Sequence, residues 1–235
     1  MNKNVLITGA DKGLGLALTE LYLKQEFCVY SCLYQQPTDA ILKLKEQYKE
    51  NLVILQMDVG DDDSVRRATE ILSGLTDSID ILINNAGVHF KDSHKSLEDI
   101  DFEVALKTIN INSLGPLRVI KALLPLVENS TSKVIADISS EAGSISECWR
   151  DKQYDYCMSK AALNMQCNIL QRYLKPKGIK VLAIHPGWMR TDMGGADAEI
   201  EPKTSAEGIS KLIEKYSGDI EGPIYMDYTG KLMSW

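Results

Sequence analysis

A tyrosine and a lysine four residues apart, Tyr156 and Lys160, are the side chains in this sequence best suited to acid–base chemistry. They fall in a stretch that is predicted to be helical, where residues i and i+4 share one face. A phenol with an ordinary pKa of about 10 exchanges protons poorly at neutral pH, and a neighbouring ammonium lowers that pKa by stabilising the phenolate. Such pairs are also common on solvated helices, so this one indicates proton transfer only in combination with other residues.

Two serines strengthen this hypothesis. Ser139 and Ser140 directly follow the apolar run VIADI, which is predicted to be a strand. In an open parallel sheet, ligands bind just beyond the carboxyl ends of the strands. Tyr154 is a competing tyrosine, but the residue four positions after it is Met158 and not a lysine.

A glycine-rich turn near the amino terminus indicates a phosphate site. Gly9, Gly13 and Gly15 follow the apolar run VLIT in the pattern G-x-x-x-G-x-G and lead into a helical pattern. Glycines let backbone N–H groups approach a pyrophosphate at a helix N-terminus. A plain strand-to-helix turn is the alternative, but the position after the first strand favours a cofactor.

Two further strand ends are candidates for the same crevice. The segment Asn84-Asn85-Ala86-Gly87 follows ILI, and Asp58-Val59 follows the third apolar run. An ordinary turn would explain the first and a helix-capping aspartate the second.

The alternation of apolar runs with helical patterns predicts the elements that would position these residues. The predicted strands are 4–8, 28–33, 52–56, 79–83, 133–138, 179–184 and 223–226, and the predicted helices are 14–25, 38–50, 62–74, 98–127, 154–175 and 204–217. This order predicts an α/β fold of one domain over residues 1–235, namely a Rossmann-type doubly wound parallel sheet of about seven strands with helices on both faces. Gly115-Pro116 predicts a kink or break in the fourth helix.

Composition excludes several classes of function. The 235 residues include 26 Lys+Arg and 33 Asp+Glu, a net charge of −7, so a nucleic-acid partner is not expected. No apolar run approaches the roughly 20 residues of a membrane helix, and a membrane location is not expected either. Five cysteines without a C-x-x-C pair, and histidines without ligand spacing, favour free thiols in the cytoplasm and no metal site.

Taken together, these motifs resemble the short-chain dehydrogenase/reductase family, in the branch that carries Y-x-x-x-K. The finer resemblance is to C-factor and sniffer-type carbonyl reductases. The matching segments span nearly the whole chain: TGADKGLG at 8–15, DV at 58–59, NNAG at 84–87, NSLG at 112–115, ISS at 138–140, YCMSK at 156–160 and HPGWMRT at 185–191.

The resemblance implies a catalytic role for four residues. Tyr156 would be the general acid in carbonyl reduction and the base in alcohol oxidation. Lys160 would bind the nicotinamide ribose and lower the pKa of Tyr156. Ser140 would hydrogen-bond the substrate oxygen, and Asn112 would hold a water molecule in the proton relay behind Lys160.

The resemblance also implies a set of cofactor-binding residues, which runs through every motif: Gly9, Asp11, Lys12, Gly13, Leu14, Gly15, Tyr34, Asp58, Val59, Asn85, Ala86, Gly87, Tyr156, Lys160, Pro186, Gly187, Met189 and Thr191.

One departure from the family pattern concerns the serine. Ser140 precedes Tyr156 by sixteen residues, which is longer than the usual spacing. An insertion within SECWRDKQYD would absorb the difference and leave Cys148, Trp149 and Arg150 near the mouth of the site. Ser139 would lengthen the gap, and Ser144 lies outside the ISS motif, so both are less attractive as the catalytic serine.

The choice of nicotinamide cofactor depends on the end of the second strand, where an acidic residue would select NAD. This chain has Tyr34-Gln35-Gln36 there, with neither an acid nor an arginine. By resemblance, a basic residue at Lys12, just before the second glycine, accompanies NADP. NADP is therefore predicted, and NAD is the alternative.

The predicted function is an oxidoreductase that acts on a small-molecule carbonyl or alcohol substrate. Trp188, Met189 and Met193 in the predicted substrate loop favour an apolar or aromatic compound. A dinucleotide-sensing protein with little turnover is one alternative, although a sensor needs no proton donor. An enoyl reductase is another, but its relatives space Tyr and Lys further apart. By analogy with relatives, the fourth and fifth helices would form the interface of a homodimer or homotetramer.

Overall fold

The fold is a seven-stranded sheet in which every pairing between neighbouring strands is parallel, as seen in a computed structural model that describes residues 3–235. The strand order is β3-β2-β1-β4-β5-β6-β7. The strands are β1 (Asn4–Thr8), β2 (Cys28–Leu33), β3 (Leu52–Gln56), β4 (Ile81–Asn84), β5 (Val134–Ile138), β6 (Lys180–His185) and β7 (Tyr225–Asp227). The order reverses between β1 and β4, where a doubly wound sheet opens a crevice for ligands.

Within residues 3–235, seven α-helices cover the two faces of this sheet. They are α1 (Gly13–Lys24), α2 (Asp39–Tyr48), α3 (Asp62–Ser73), α4 (Phe102–Ile109), α5 (Gly115–Glu128), α6 (Tyr154–Leu174) and α7 (Pro202–Tyr216). Apolar residues of α1, α2 and α7 pack with alternate strand residues in one core, and those of α3, α5 and α6 pack in a second core. The predicted Rossmann-type α/β fold is therefore confirmed.

The predicted fourth helix is interrupted, as Gly115-Pro116 indicated. A π-helical turn, Asn110–Leu114, separates α4 from α5. Pro116 has no N–H to donate to the carbonyl of Asn112 four residues earlier, and its ring crowds that carbonyl. The proline thus places Asn112 within the irregular turn, next to the end of β4.

Several element ends differ slightly from the predictions. β4 and β6 extend to Asn84 and His185, and α7 begins at Pro202 rather than at 204. A proline fits the first turn of a helix because its missing N–H would have no intrahelical partner there. Among residues 3–235, the helices lack the unbroken apolar length of a transmembrane span.

Candidate active site

The glycine turn packs so closely that side chains are excluded from two of its positions. Gly9 has φ +63°, and a Cβ there would lie 2.9 Å from the Cα of Ala86. A Cβ on Gly15 would lie 2.1 Å from the carbonyl oxygen of Gly9. The first turn of α1 therefore sits directly against the end of β4, and only glycine allows that approach.

Hydrogen bonds hold the glycine turn to the end of β4. The amide of Asn85 donates to the carbonyl oxygens of Thr8 and Gly9, both at 2.9 Å. The Thr8 hydroxyl accepts from the backbone N–H groups of Asn85 and Ala86. The Asn85 side chain is thus engaged in shaping the predicted cofactor cradle.

The remaining predicted residues at the adenine side lie at the ends of β2 and β3. The Asp58 carboxylate accepts from the N–H of Gly60 at 2.8 Å, whereas Asp61 caps α3 by accepting from Ser64. Asp58 is therefore not the helix cap. Tyr34 is exposed just after β2.

The predicted cofactor-binding residues after β6 lie next to the glycine turn. A Cβ on Gly13 would lie 3.2 Å from Thr191 Cγ2, and Lys12 Nζ lies 2.7 Å from the carboxylate of Asp192. This ion pair is exposed, and Asp192 raises the pKa of Lys12. Lys12 therefore has a carboxylate partner that the sequence motifs did not indicate.

The other end of this segment is fixed by close packing. Gly187 has φ +80°, and a Cβ there would lie 2.6 Å from Ile200 Cδ1. The carbonyl of Pro186 accepts from Ser205 Oγ, and Met189 pairs with Ile200 in an isolated β-bridge. The loop of residues 188–202 thus folds back on itself.

Tyr156 and Lys160 lie one turn apart at the amino end of α6. Lys160 is buried, and its Nζ donates to the carbonyl of Ile138 at 2.8 Å and lies 5.9 Å from the Tyr156 ring centroid. Burial lowers the pKa of Lys160 to about 8, against the opposing effect of the Asp137 carboxylate.

The expected lowering of the Tyr156 pKa by Lys160 is not found. Burial raises the pKa of Tyr156, because the phenolate loses its hydration, and the Ser140 hydroxyl acts in the opposite direction. Among charged neighbours, Glu141 raises the pKa of Tyr156 and Arg150 lowers it. The ammonium of Lys160 instead uses one of its three N–H donors on the carbonyl of Ile138 in β5.

Ser140 is the serine beside Tyr156. Its hydroxyl also accepts from the N–H of Ala142 at 3.1 Å, and its carbonyl accepts from the Tyr225 hydroxyl at 2.7 Å. Ser139 is buried and donates to Asn164 Oδ1, which commits it to the core. The geometry thus favours Ser140 over Ser139, as does the shorter spacing of Ser140 from Tyr156.

Asn112 connects three parts of the site. Its Oδ1 accepts from the N–H of Val88 at 2.8 Å, and its Nδ2 donates to the carbonyl of Val88 and to Ser159 Oγ. A Cβ on Gly87 would lie 3.3 Å from Asn112 Oδ1 and 3.8 Å from Lys160 Nζ. The NNAG segment, the π turn and α6 therefore meet beside Lys160.

This arrangement fits a dinucleotide. The crowded backbone at Gly9 and Gly15 leaves the turn without side chains, while Gly87 keeps clear the space beside Asn112 and Lys160. Groups from the ends of β1, β4 and β5 thus converge at one edge of the sheet, where dinucleotides bind in doubly wound folds. Within the described part of the chain, no cluster of three His, Cys, Asp or Glu residues suits a metal ion.

Two contacts in the site were not predicted from the sequence. Arg150 makes a bidentate ion pair with Glu141, at 2.6 and 2.5 Å, which joins the insertion to the residue after Ser140. His89, two residues after NNAG, packs on Tyr156 with 4.5 Å between ring centroids, and burial lowers its pKa. The only signal for His89 in the sequence was its position just after the NNAG motif. The signal for Arg150 was the unusual length of the insertion.

Comparison with known proteins gives a consistent family match. A model of the short chain dehydrogenase family matches residues 3–201. A protein of Myxococcus xanthus named C-signal is 37% identical over 168 residues, which make up 72% of this chain and 98% of that protein.

Two solved structures resemble the whole chain. The NADPH-bound carbonyl reductase from chicken fatty liver has a TM-score of 0.87 and 28% identity, with 100% of this chain and 94% of that chain covered. The carbonyl reductase Sniffer of D. melanogaster has a TM-score of 0.88 and 28% identity, with both chains fully covered. The resemblance to carbonyl reductases expected from the motifs is confirmed.

Proposed function

The chain belongs to the short-chain dehydrogenase family, and on this premise we propose that it is an NADPH-dependent carbonyl reductase with Tyr156 as its general acid. The observation that carries the proposal is the convergence of Tyr156, Ser140 and Lys160 beside the NNAG segment, which packs on the glycine turn. When bound, NADPH supplies the hydride. The cytoplasm is the proposed location, in keeping with the free cysteines at Cys28, Cys32, Cys148, Cys157 and Cys167.

One residue of the site transfers the proton, and the others position the substrate oxygen, the cofactor and a water molecule. Tyr156 donates a proton from its hydroxyl to the substrate oxygen in reduction and recovers one from it in alcohol oxidation. The Ser140 hydroxyl hydrogen-bonds that oxygen and keeps it next to the phenol. Lys160 binds the nicotinamide ribose, and Asn112, held in the π turn, supports a water molecule behind Lys160.

The cofactor would be held by the turn and the strand ends described above. The N–H groups at the start of α1 suit the pyrophosphate, and Asp58 suits the adenine edge. Val59, Ala86, Pro186 and Thr191 would line the cofactor on either side. Tyr34, exposed after β2, would lie against the adenine end, where the absence of an acid leaves room for a 2′-phosphate.

Replacing Lys12 with alanine is expected to raise the KM for NADPH by about 10-fold and to leave the KM for NADH unchanged. Lys12 would exchange its exposed partner Asp192 for the doubly charged 2′-phosphate, which NADH lacks. Steady-state kinetics with both cofactors measure the effect. Lys24→Ala is the matched control, because Lys24 is also exposed and ion-paired but lies at the far end of α1. An equal rise in KM for both cofactors would remove this role from Lys12.

The substrate is proposed to be an uncharged apolar or aromatic carbonyl compound. Trp149 of the insertion and Trp188 of the 188–202 loop are exposed, and Trp149 stacks on Arg150 at 4.5 Å. Glu141 neutralises Arg150, so this arginine is not a free cation for an anionic substrate. NADPH oxidation measured against aldehydes, diketones and quinones tests the proposal. NADPH binding without turnover of any member would favour the dinucleotide-sensing alternative instead.

A homodimer or homotetramer is proposed on the basis of an exposed apolar face. This α4/α6 face consists of Phe102 and Leu106 on α4 and Met165, Ile169 and Tyr173 on α6, each series spaced at one helical turn. Soluble monomers rarely expose large contiguous apolar patches.

Replacing Ile169 with aspartate is expected to convert the oligomer to a 26.2 kDa monomer. A charge on the α4/α6 face would have to be buried without a partner in the interface. Light scattering coupled to size-exclusion chromatography measures the mass. Ile71→Asp is the matched control, since Ile71 on α3 is 57% exposed and Ile169 is 59% exposed. An unchanged mass for Ile169→Asp would place the interface elsewhere.

A further inference from the structure

A buried carboxylate lies beneath the active-site lysine. Asp137 on β5 is fully buried, and its Oδ1 accepts from Asn84 Nδ2 at 2.7 Å. Its Oδ2 accepts from the thiol of Cys167 at 3.1 Å. Buried carboxylates are rare unless paired, so the site must contain a compensating positive charge or a bound proton.

Lys160 is the cationic side chain whose charge acts on Asp137. Asp137 precedes Ile138, whose carbonyl holds Lys160 Nζ, and Cys167 lies two helical turns after Lys160 on the face of α6 that covers the sheet. The carboxylate opposes the effect of burial on the pKa of Lys160, and the ammonium opposes the effect of burial on the pKa of Asp137. Each charge therefore lowers the free-energy cost of burying the other.

The charged and titratable groups around Lys160 come from three elements. Asp137 lies on β5, Tyr156 and Cys167 lie on α6, and His185 lies at the end of β6. Burial keeps the His185 imidazole neutral by lowering its pKa, and it raises the pKa of the Cys167 thiol far above its usual range. Asp137 is thus the one carboxylic acid among these four groups.

We propose that Asp137 is a positioning residue that keeps Lys160 protonated and directed at the carbonyl of Ile138. Asn84 and Cys167 orient the carboxylate through their two hydrogen bonds, and Asp137 itself touches neither substrate nor cofactor. The inference rests on the proposed function, since it assigns a purpose to the charge on Lys160. With Asp137 ionised, Lys160 remains an ammonium at neutral pH despite its burial.

The test measures the pKa of Lys160 in Asp137→Asn by NMR of protein labelled with ¹³C at the lysine ε-carbon. The Lys160 resonance is assigned by comparison with Lys160→Met. The pKa is expected to fall by about one unit or more, because asparagine keeps the shape and removes the charge. The alkaline limb of kcat/KM is expected to move to lower pH by the same amount. Asp80→Asn is the matched control: Asp80 is also buried, but it binds the backbone of Asn4 at the opposite end of the sheet. An unchanged Lys160 pKa in folded Asp137→Asn would overturn the proposal.

A second measurement needs no variant of Asp137. The side-chain carboxyl of Asp137 in the intact protein is expected to be ionised at pH 7, as read from its ¹³C chemical shift, and a protonated carboxyl would equally overturn the proposal. Both readouts are independent of turnover. Failure of the carbonyl reductase assignment would leave them unaffected, and their failure would leave that assignment standing.

Discussion

Replacing Tyr156 with phenylalanine is expected to lower kcat for carbonyl reduction by about 10² to 10⁴-fold while leaving the affinity for NADPH nearly unchanged. The variant keeps the ring that packs against His89 and loses only the hydroxyl beside Ser140. Without that proton donor, the developing alkoxide must take its proton from water. NADPH affinity measured by fluorescence titration and kcat measured in the panel assay separate the two effects.

Tyr154→Phe is the matched control for this experiment. Tyr154 lies two residues before Tyr156 in the first turn of α6, but its side chain is more exposed. Its variant is expected to retain normal turnover. Substantial turnover in Tyr156→Phe, or an equal loss in both variants, would refute the assignment of Tyr156 as the acid.

The substitution Gly9→Ala is expected to weaken NADPH binding by about 10-fold or more and to destabilise the fold by about 2–4 kcal/mol. The new methyl group would lie 2.9 Å from the Cα of Ala86, so the turn and the end of β4 must separate. That movement would break the contacts of Asn85 with Thr8 and Gly9, which shape the cradle. Chemical denaturation and NADPH titration provide the two measurements.

Gly178→Ala controls for the backbone strain in this comparison. Gly178 has φ +71°, close to the +63° of Gly9, but a Cβ there meets nothing within 4 Å. Its variant is expected to lose about 1 kcal/mol and no NADPH affinity. If the two variants behaved alike, the close packing of Gly9 on Ala86 would have no part in cofactor binding.

Much of the fold could be predicted from local sequence patterns. The first three strands have the predicted bounds, because short β-branched runs ended by glycine or polar residues leave little freedom in register. The interruption before Pro116 was also predictable, since a proline cannot supply the next hydrogen bond of the helix. The predicted ends of β4, β6, β7 and α7 were less accurate, because the first and last residues of these elements are decided by pairing with a neighbouring strand or by packing.

The chemistry of the site could also be predicted only in part from the sequence. Tyr156 and Lys160 were found because helical spacing relates them within a few residues, and the glycine turn was found because its pattern lies within one short segment. The effect of burial on the pKa of Lys160 and of Tyr156 could not be predicted from the sequence, and for Tyr156 burial raises the pKa. Helical spacing shows that two side chains share a face, but it does not show how deeply they are buried or what they contact.

The amino-acid sequence thus determined the type of sheet, the phosphate-binding turn and the pair of residues able to transfer a proton. Tertiary structure decided how deeply those groups are buried and which partners they meet. Asp137 meets Asn84 across 53 residues and Cys167 across 30, and Arg150 meets Glu141 through the fold of an insertion. Local spacing is encoded by backbone geometry along the chain, whereas burial and the partners of buried charges depend on the packing of distant segments.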